Sequence, residues 1–155
     1  MKLYLSSYGL GDFSDELVKL VDKKNAKVAV SVNALDFSDD RERVSNRLQQ
    51  EIANMRNLGF VPEKLDLRDY FDRSDLVETL SNYDVVWFTG GNAFLLVKAM
   101  RQSGFDKVVE QLIKTSKMVY SGYSAAFCAV SPSLKGVELV DASGSSISSW
   151  TTSAG

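Results

Sequence analysis

No histidine occurs anywhere in this chain. The residue that most often serves as general base at neutral pH, and most often ligates zinc, is therefore missing. Cysteine is nearly absent as well. Cys128 stands alone, so no intrachain disulfide can form, a metal site has almost nothing to be built from, and a reducing cytoplasm is the expected compartment. No metal and no cofactor are expected. Apolar runs stop far short of the ~20 residues that a membrane-spanning helix needs, and the N-terminus has no signal-peptide core. Neither charge sign dominates: 18 basic and 20 acidic residues are interspersed for a formal net charge of −2, which offers nothing to nucleic acid or to an anionic membrane.

What remains is the profile of one soluble domain: 155 residues, 45% apolar and 25% charged, without internal repeats. Lys2 to Ser6 reads as a first strand, followed by a glycine-bearing loop. Ser14 is placed to cap a helix to about Lys24, with Phe13, Leu17, Leu20 and Val21 on one face. Lys27 to Val32 reads as a strand buried on both faces. A longer helix follows, with Ser38 as its cap and Val44, Leu48, Ile52, Met55 and Leu58 recurring at helical spacing until Gly59 ends it. Phe60 to Leu67 reads as a strand with a proline near its start, and Ser74 as the cap of a short helix through Leu80. Asp84 to Thr89 is the strongest strand signal of all. Gly90-Gly91-Asn92 then opens a helix that Gly104 breaks, and a second amphipathic helix follows. Alternating strands and helices joined by short loops predict an α/β domain with a mainly parallel sheet.

Met118 to Val130 carries the chemistry. An apolar strand, a turn with Ser124 at its tip and a small-residue helix match the G-x-S-x-G elbow that lifts a serine hydroxyl out of a sheet, with Ala126 where the second glycine stands. The Ala125 amide is positioned to donate to an oxyanion, and the Gly91 amide to supply a second donor. Each has a plainer alternative: Ser124 as a small residue where strand and helix pack closely, and Gly90-Gly91 as a turn with Asn92 as helix cap. Cys128, one helical turn past the serine, reads as a buried thiol. The acidic residues Asp36, Asp39, Asp40 and Glu42 read as favouring a helix N-terminus. Pro132 stops the elbow helix, and Val137 to Val140 is a further strand candidate. Glu138 and Asp141 are the carboxylates that follow the nucleophile, where the hydrolase order of serine, acid and histidine puts an orienting acid.

Three ordered segments, Phe88 to Leu96, Ser121 to Ala126 and Ser131 to Asp141, together resemble the peptidase E-like serine peptidases of family S51, the relatives of aspartyl dipeptidase and cyanophycinase. The opening Leu3 to Tyr8 is similar to that family's first strand. The resemblance covers about residues 1–141. It implies a three-layer α/β fold with a mainly parallel sheet, class I glutamine amidotransferase-like and flavodoxin-related. It also implies a Ser–His–acid mechanism on small peptide substrates, with Ser124 as nucleophile, Gly91 and Ala125 as oxyanion amides, and Glu138, ahead of Asp141, as the acid.

Two departures qualify the expectation. Alanine replaces glycine at 126, and the family's histidine has no counterpart here. Residues 142–155, mostly Ser, Thr and Gly, do not resemble the family and read either as a flexible tail or as the sign of a C-terminally incomplete domain. An incomplete domain is expected to expose apolar surface and an unpaired sheet edge, and so to self-associate as a homo-oligomer. The expected chain is thus an impaired peptidase. The alternative is a non-catalytic α/β domain that binds a small ligand or a protein.

Overall fold

The strand signals converge on one sheet. The computed structural model describes residues 2–115, 118–135 and 137. Five strands, β1 (Lys2–Ser6), β2 (Lys27–Ser31), β3 (Val61–Lys64), β4 (Val85–Phe88) and β5 (Val119–Tyr123), lie in the order β1-β5-β4-β2-β3. Every pairing is parallel. The most apolar segments, β4 and β5, are buried along their whole length in the middle of the sheet. Pro62 has no amide to give a ladder and accordingly sits in the edge strand β3.

Helices cover both faces. On one, Ala29, Val86, Phe88 and Tyr120 pack against Leu96, Met100, Phe105 and Ala126, from α4 (Ala93–Ser103), α5 (Phe105–Lys114) and α6 (Ala125–Ala129); α3 (Leu76–Leu80) joins that layer. On the other, Val28, Val30, Val85 and Trp87 meet Leu17 of α1 (Ser14–Val21) and Ile52 and Met55 of α2 (Arg41–Asn57). Burying each large aliphatic side chain contributes about 1.5–3 kcal/mol before chain entropy is counted. This is the expected three-layer, flavodoxin-related α/β architecture.

The helix starts differ from the sequence expectation. Phe13, not Ser14, holds the α1 N-cap position, no side chain caps it, and the helix ends at Val21. Phe13 is exposed rather than part of the apolar face. Ser38 does not cap α2: the helix begins only at Arg41, and Ser38 lies in the preceding turn, its amide donating to the Leu35 carbonyl. Asp40 does so instead, its carboxylate accepting from the Arg43 amide at 2.9 Å. Asp75, not Ser74, precedes α3. The strand expected over Phe60 to Leu67 is four residues long, because Leu67–Tyr70 turns into a 3-10 helix. The Asn92 cap and the Gly59 and Gly104 helix stops are as expected, with both glycines left-handed. Of Val137 to Val140, only Val137 is described; its amide bonds the Leu134 carbonyl, while 138–140 and the proposed tail over 142–155 lie outside the described residues.

Candidate active site

In a doubly wound sheet the loops leaving adjacent strands part where the winding direction reverses, and ligands sit there. Here the reversal falls between β2 and β4: the chain moves outward from β2 to β3, then back to β4 and β5. A cleft of about 630 Å³ occupies that place. Leu35, Phe37 and Asp40 border it from the loop after β2, Gly90 and Gly91 from the loop after β4, and Ser124 from the turn after β5.

Ser124 lies at the tip of the expected elbow. Its backbone has φ 51° and ψ −101°, outside the regular regions, a conformation that costs on the order of 1–3 kcal/mol. Tyr123 and Ala125 on either side are buried while Ser124 is exposed. Its amide bonds the Ser6 carbonyl at the end of β1, at 3.2 Å, which fixes the turn from behind. Close approach of α6 to the sheet requires Gly122: with φ at 152°, a Cβ there would stand 2.3 Å from the Phe88 carbonyl oxygen and 2.6 Å from the Ala126 Cβ. Ala126 is therefore accommodated because the methyl that would oppose it is missing from Gly122.

The Gly90-Gly91 turn is pressed in beside the serine. A Cβ on Gly90 would meet the Tyr123 ring at 2.7 Å and the Ser124 Cβ at 3.1 Å. A Cβ on Gly91, whose φ is 149°, would fall 2.4 Å from the Ala34 carbonyl oxygen. The neighbouring Asn92 amide donates to that same carbonyl at 2.8 Å, and the Asn92 side chain caps α4 through the Leu95 amide at 3.0 Å. The turn-and-cap reading of Gly90-Gly91-Asn92 thus holds and leaves two amides over. Those of Gly91 and Ala125 have no acceptor among the described residues. Glu138 and Asp141 lie outside the described residues. Cys128 is half-buried rather than buried, and it packs against the core edge.

Two polar clusters that sequence reasoning missed hold these loops. Asn33 is the hub of the first. Its Oδ1 accepts from the Ser31 hydroxyl at 2.7 Å and the Leu67 amide at 2.9 Å, while its Nδ2 donates to Asp66 and Asp36, each at 3.0 Å. Arg68 adds a two-pronged bond to Asp66 and an ion pair with Asp36 at 3.3 Å. Asp36 was grouped in sequence with the helix-end acids, yet it belongs here. In the second cluster the buried Glu51 of α2 accepts from the Trp87 indole at 3.0 Å and the Tyr123 hydroxyl at 2.9 Å, with Arg47 at 3.8 Å. Burial, reinforced by the Glu51 charge, pushes the Tyr123 hydroxyl well above its usual range, so it remains a proton donor to Glu51 at neutral pH. One signal for Glu51 was legible: it falls on the same helical stripe as Val44, Met55 and Leu58.

The first cluster makes stability depend on acid. Burial alone would raise the Asp66 carboxyl, but hydrogen bonds from Arg68 and Asn33 outweigh it and hold the group well below the usual carboxylate range. Its contribution is complete above the unfolded value of about 3.9 and is lost as pH falls from there toward the depressed native value. Asp36 opposes it more weakly, since burial raises its carboxyl and its share fades as pH rises. Urea midpoints measured from pH 5 down to pH 2.5 are therefore expected to fall steeply in the parent chain. They are expected to fall less steeply in Asp66→Asn; equal slopes would refute the assignment.

The wall facing Ser124 is polar and carries both charge signs, with Asp40 and Glu42 at the start of α2 and two arginines beyond them. Arg43, Asn46, Arg47 and Gln50 recur along one face of α2 and border the cleft, with Tyr8 at its rim. No group of His, Cys, Asp and Glu among the described residues is arranged to hold a metal ion, and no described helix is long and apolar enough to cross a membrane.

This geometry can be set beside known proteins. The model of peptidase family S51 matches residues 10–152. An uncharacterized peptidase of Listeria monocytogenes is 29% identical over 87 residues, which is 56% of this chain and 42% of that protein. An uncharacterized peptidase of Listeria innocua is 32% identical over 66 residues, 43% of this chain and 31% of that one. The matched regions thus span less than half the length of these curated relatives. Among solved structures, a provisionally assigned peptidase E protein from Listeria monocytogenes superposes with a TM-score of 0.74 at 24% identity, covering 92% of this chain and 68% of that one. A peptidase from an acI-B1 Actinobacterium gives 0.59 at 17% identity, covering 79% and 53%. Both structural likenesses are of fold.

Proposed function

This chain belongs to peptidase family S51, and from that premise we propose that Ser124 is the nucleophile of a serine-type hydrolase site for short peptides. One observation carries the reading: the exposed serine stands on a strained strand-to-helix turn beside two amides that have no acceptor among the described residues. Attack of the Ser124 oxygen on a peptide carbonyl would move negative charge onto the carbonyl oxygen, which the Gly91 and Ala125 amides would hold. The serine proton needs a base, and these 155 residues include no histidine to take it. A second copy of the same chain brings none either. Glu138, and Asp141 as the alternative, would orient that histidine if it were supplied from outside the chain. Turnover by the chain alone is therefore proposed to be slower than that of a complete triad by on the order of 10⁶-fold, the loss typical of removing a triad member.

Substrate chemistry is suggested by the α2 wall. Arg43 and Arg47 would face a carboxylate on a peptide whose carbonyl rests at Ser124, which suits short acidic peptides such as aspartyl dipeptides. Calorimetric titration with Asp-Leu should show Arg43→Ala weakening binding about tenfold, the value of one charge-assisted hydrogen bond. Unchanged affinity would remove Arg43 from the site.

Fluorophosphonate labelling tests the nucleophile. Slow modification that maps to Ser124 and vanishes in Ser124→Ala is expected; equal labelling of both proteins would refute the assignment. The lack of histidine also favours a second reading, in which the domain keeps the cleft and binds its ligand without chemistry. Asp-Leu binding with no labelling at any time would select that reading.

A further inference from the structure

We infer that Glu51 is a positioning residue for the oxyanion turn, acting through the Tyr123 hydroxyl; the inference rests on the reading of Ser124 as nucleophile. Glu51 is 1% exposed on a helix whose other inward residues are apolar. Burying a carboxylate is costly, and an apolar residue of similar size would serve packing better. What the carboxylate provides instead is a tie between two strands. One oxygen holds Trp87 of β4, three residues before Gly90, and the other holds Tyr123, the last residue of β5 before Ser124. A single side chain thus fixes the strand that delivers the oxyanion turn against the strand that delivers the nucleophile.

The coupling reaches the turn itself. The Tyr123 ring fills the space where a Gly90 Cβ would be, and the Gly90 backbone amide faces the Tyr123 hydroxyl oxygen. Because that hydroxyl donates to Glu51, its lone pairs are directed away from the carboxylate and toward the Gly90 amide. Glu51 therefore sets the orientation of the hydroxyl, the hydroxyl sets Gly90, and Gly90 sets the direction of the adjacent Gly91 amide. Arg47 at 3.8 Å balances the buried charge from the cleft side, and the Tyr8 ring closes over Tyr123 edge-on at 5.8 Å. Tyr123 itself touches no reacting atom in this scheme.

Two substitutions test it with little change of volume. Tyr123→Phe removes only the hydroxyl, and Glu51→Gln keeps the shape but accepts poorly from two donors at once. In both, amide hydrogen exchange at Gly90 is expected to quicken about tenfold while the amides of β2 and β4 keep their rates. Phenylboronic acid, which becomes a tetrahedral anion when the serine oxygen adds to boron, is expected to bind about tenfold more weakly. Affinity for the ground-state peptide Asp-Leu should stay within twofold. Faster exchange spread evenly over the sheet, or parallel losses for boronate and peptide, would show a merely structural residue and overturn the inference. If Ser124→Ala binds the boronate as well as the parent, the nucleophile reading fails instead. The Gly90 exchange rate still decides the role of Glu51 in that case.

Discussion

Gly122→Ala is expected to lower the unfolding free energy by about 3–5 kcal/mol, as the sum of an overpacked contact and a strained backbone. The added methyl would lie 2.3 Å from the Phe88 carbonyl oxygen and 2.6 Å from the Ala126 Cβ, at a φ of 152° that residues with a Cβ rarely adopt. A loss of that size is a large share of the 5–15 kcal/mol that holds a typical domain together. The second contact can be relieved separately. In Gly122→Ala combined with Ala126→Gly the methyl clash disappears, but the carbonyl clash and the backbone strain persist. Less than half of the lost stability should therefore return, measured as urea midpoints at constant slope. Full recovery would mean that the side-chain contact, not the backbone, dictates glycine here. Near-wild-type stability of the single variant would refute the described approach of β5 at Gly122 to α6 and to the Phe88 carbonyl.

Asn33→Ala is expected to cost about 3 kcal/mol and to loosen the cleft from a distance. Four hydrogen bonds converge on this side chain, and its loss strands the Leu67 amide and part of the Asp66 carboxylate in a buried place. Each buried group left unsatisfied costs on the order of 1–3 kcal/mol. The next residue, Ala34, is the one whose carbonyl receives the Asn92 amide and lies against Gly91. Loss of stability should therefore come with faster amide exchange at Asn92, while the β1–β5 pairing keeps its protection. Asn33→Asp separates shape from hydrogen bonding. It can still accept from Ser31 and Leu67, but it sets a third carboxylate beside Asp36 and Asp66, so it should be destabilising chiefly at neutral pH and much less so near pH 4. A pH-independent deficit would contradict the assignment.

How far the chain could be read in advance depended on whether a feature is local. Strands β2, β4 and β5 declare themselves through runs of apolar residues. The elbow declares itself because Gly122, Ser124 and Ala126 are close neighbours in sequence. Helix starts differ from expectation where two polar residues compete: Ser38 and Asp40 are both good caps, but Ser38 falls in the turn closed on the Leu35 carbonyl, and the Asp40 carboxylate is the one that reaches the Arg43 amide. The supports of the site were hidden for a different reason. Asn33 and Asp66 are far apart in the chain, as are Glu51 and Tyr123, and each pair is joined only by the crossing of strands and helices. A buried glutamate inside an otherwise polar helix gives little outward sign, although its place on the apolar stripe was visible.

The pairing of β1 with β5 bears on how the molecule comes to be. The first strand of the chain is held by the last described one, from Lys2 beside Val119 to Ser6 beside Tyr123, and the Ser6 carbonyl then anchors Ser124. A chain leaving the ribosome cannot make this contact until β5, more than a hundred residues after β1, has been synthesised. Closing so long a loop adds little to the equilibrium cost but slows the search. The inner strands and α2 can collapse first, while the N-terminal strand waits for its partner. The serine turn should accordingly be among the last parts to acquire its native form in refolding, later than the burial of Trp87 within β4.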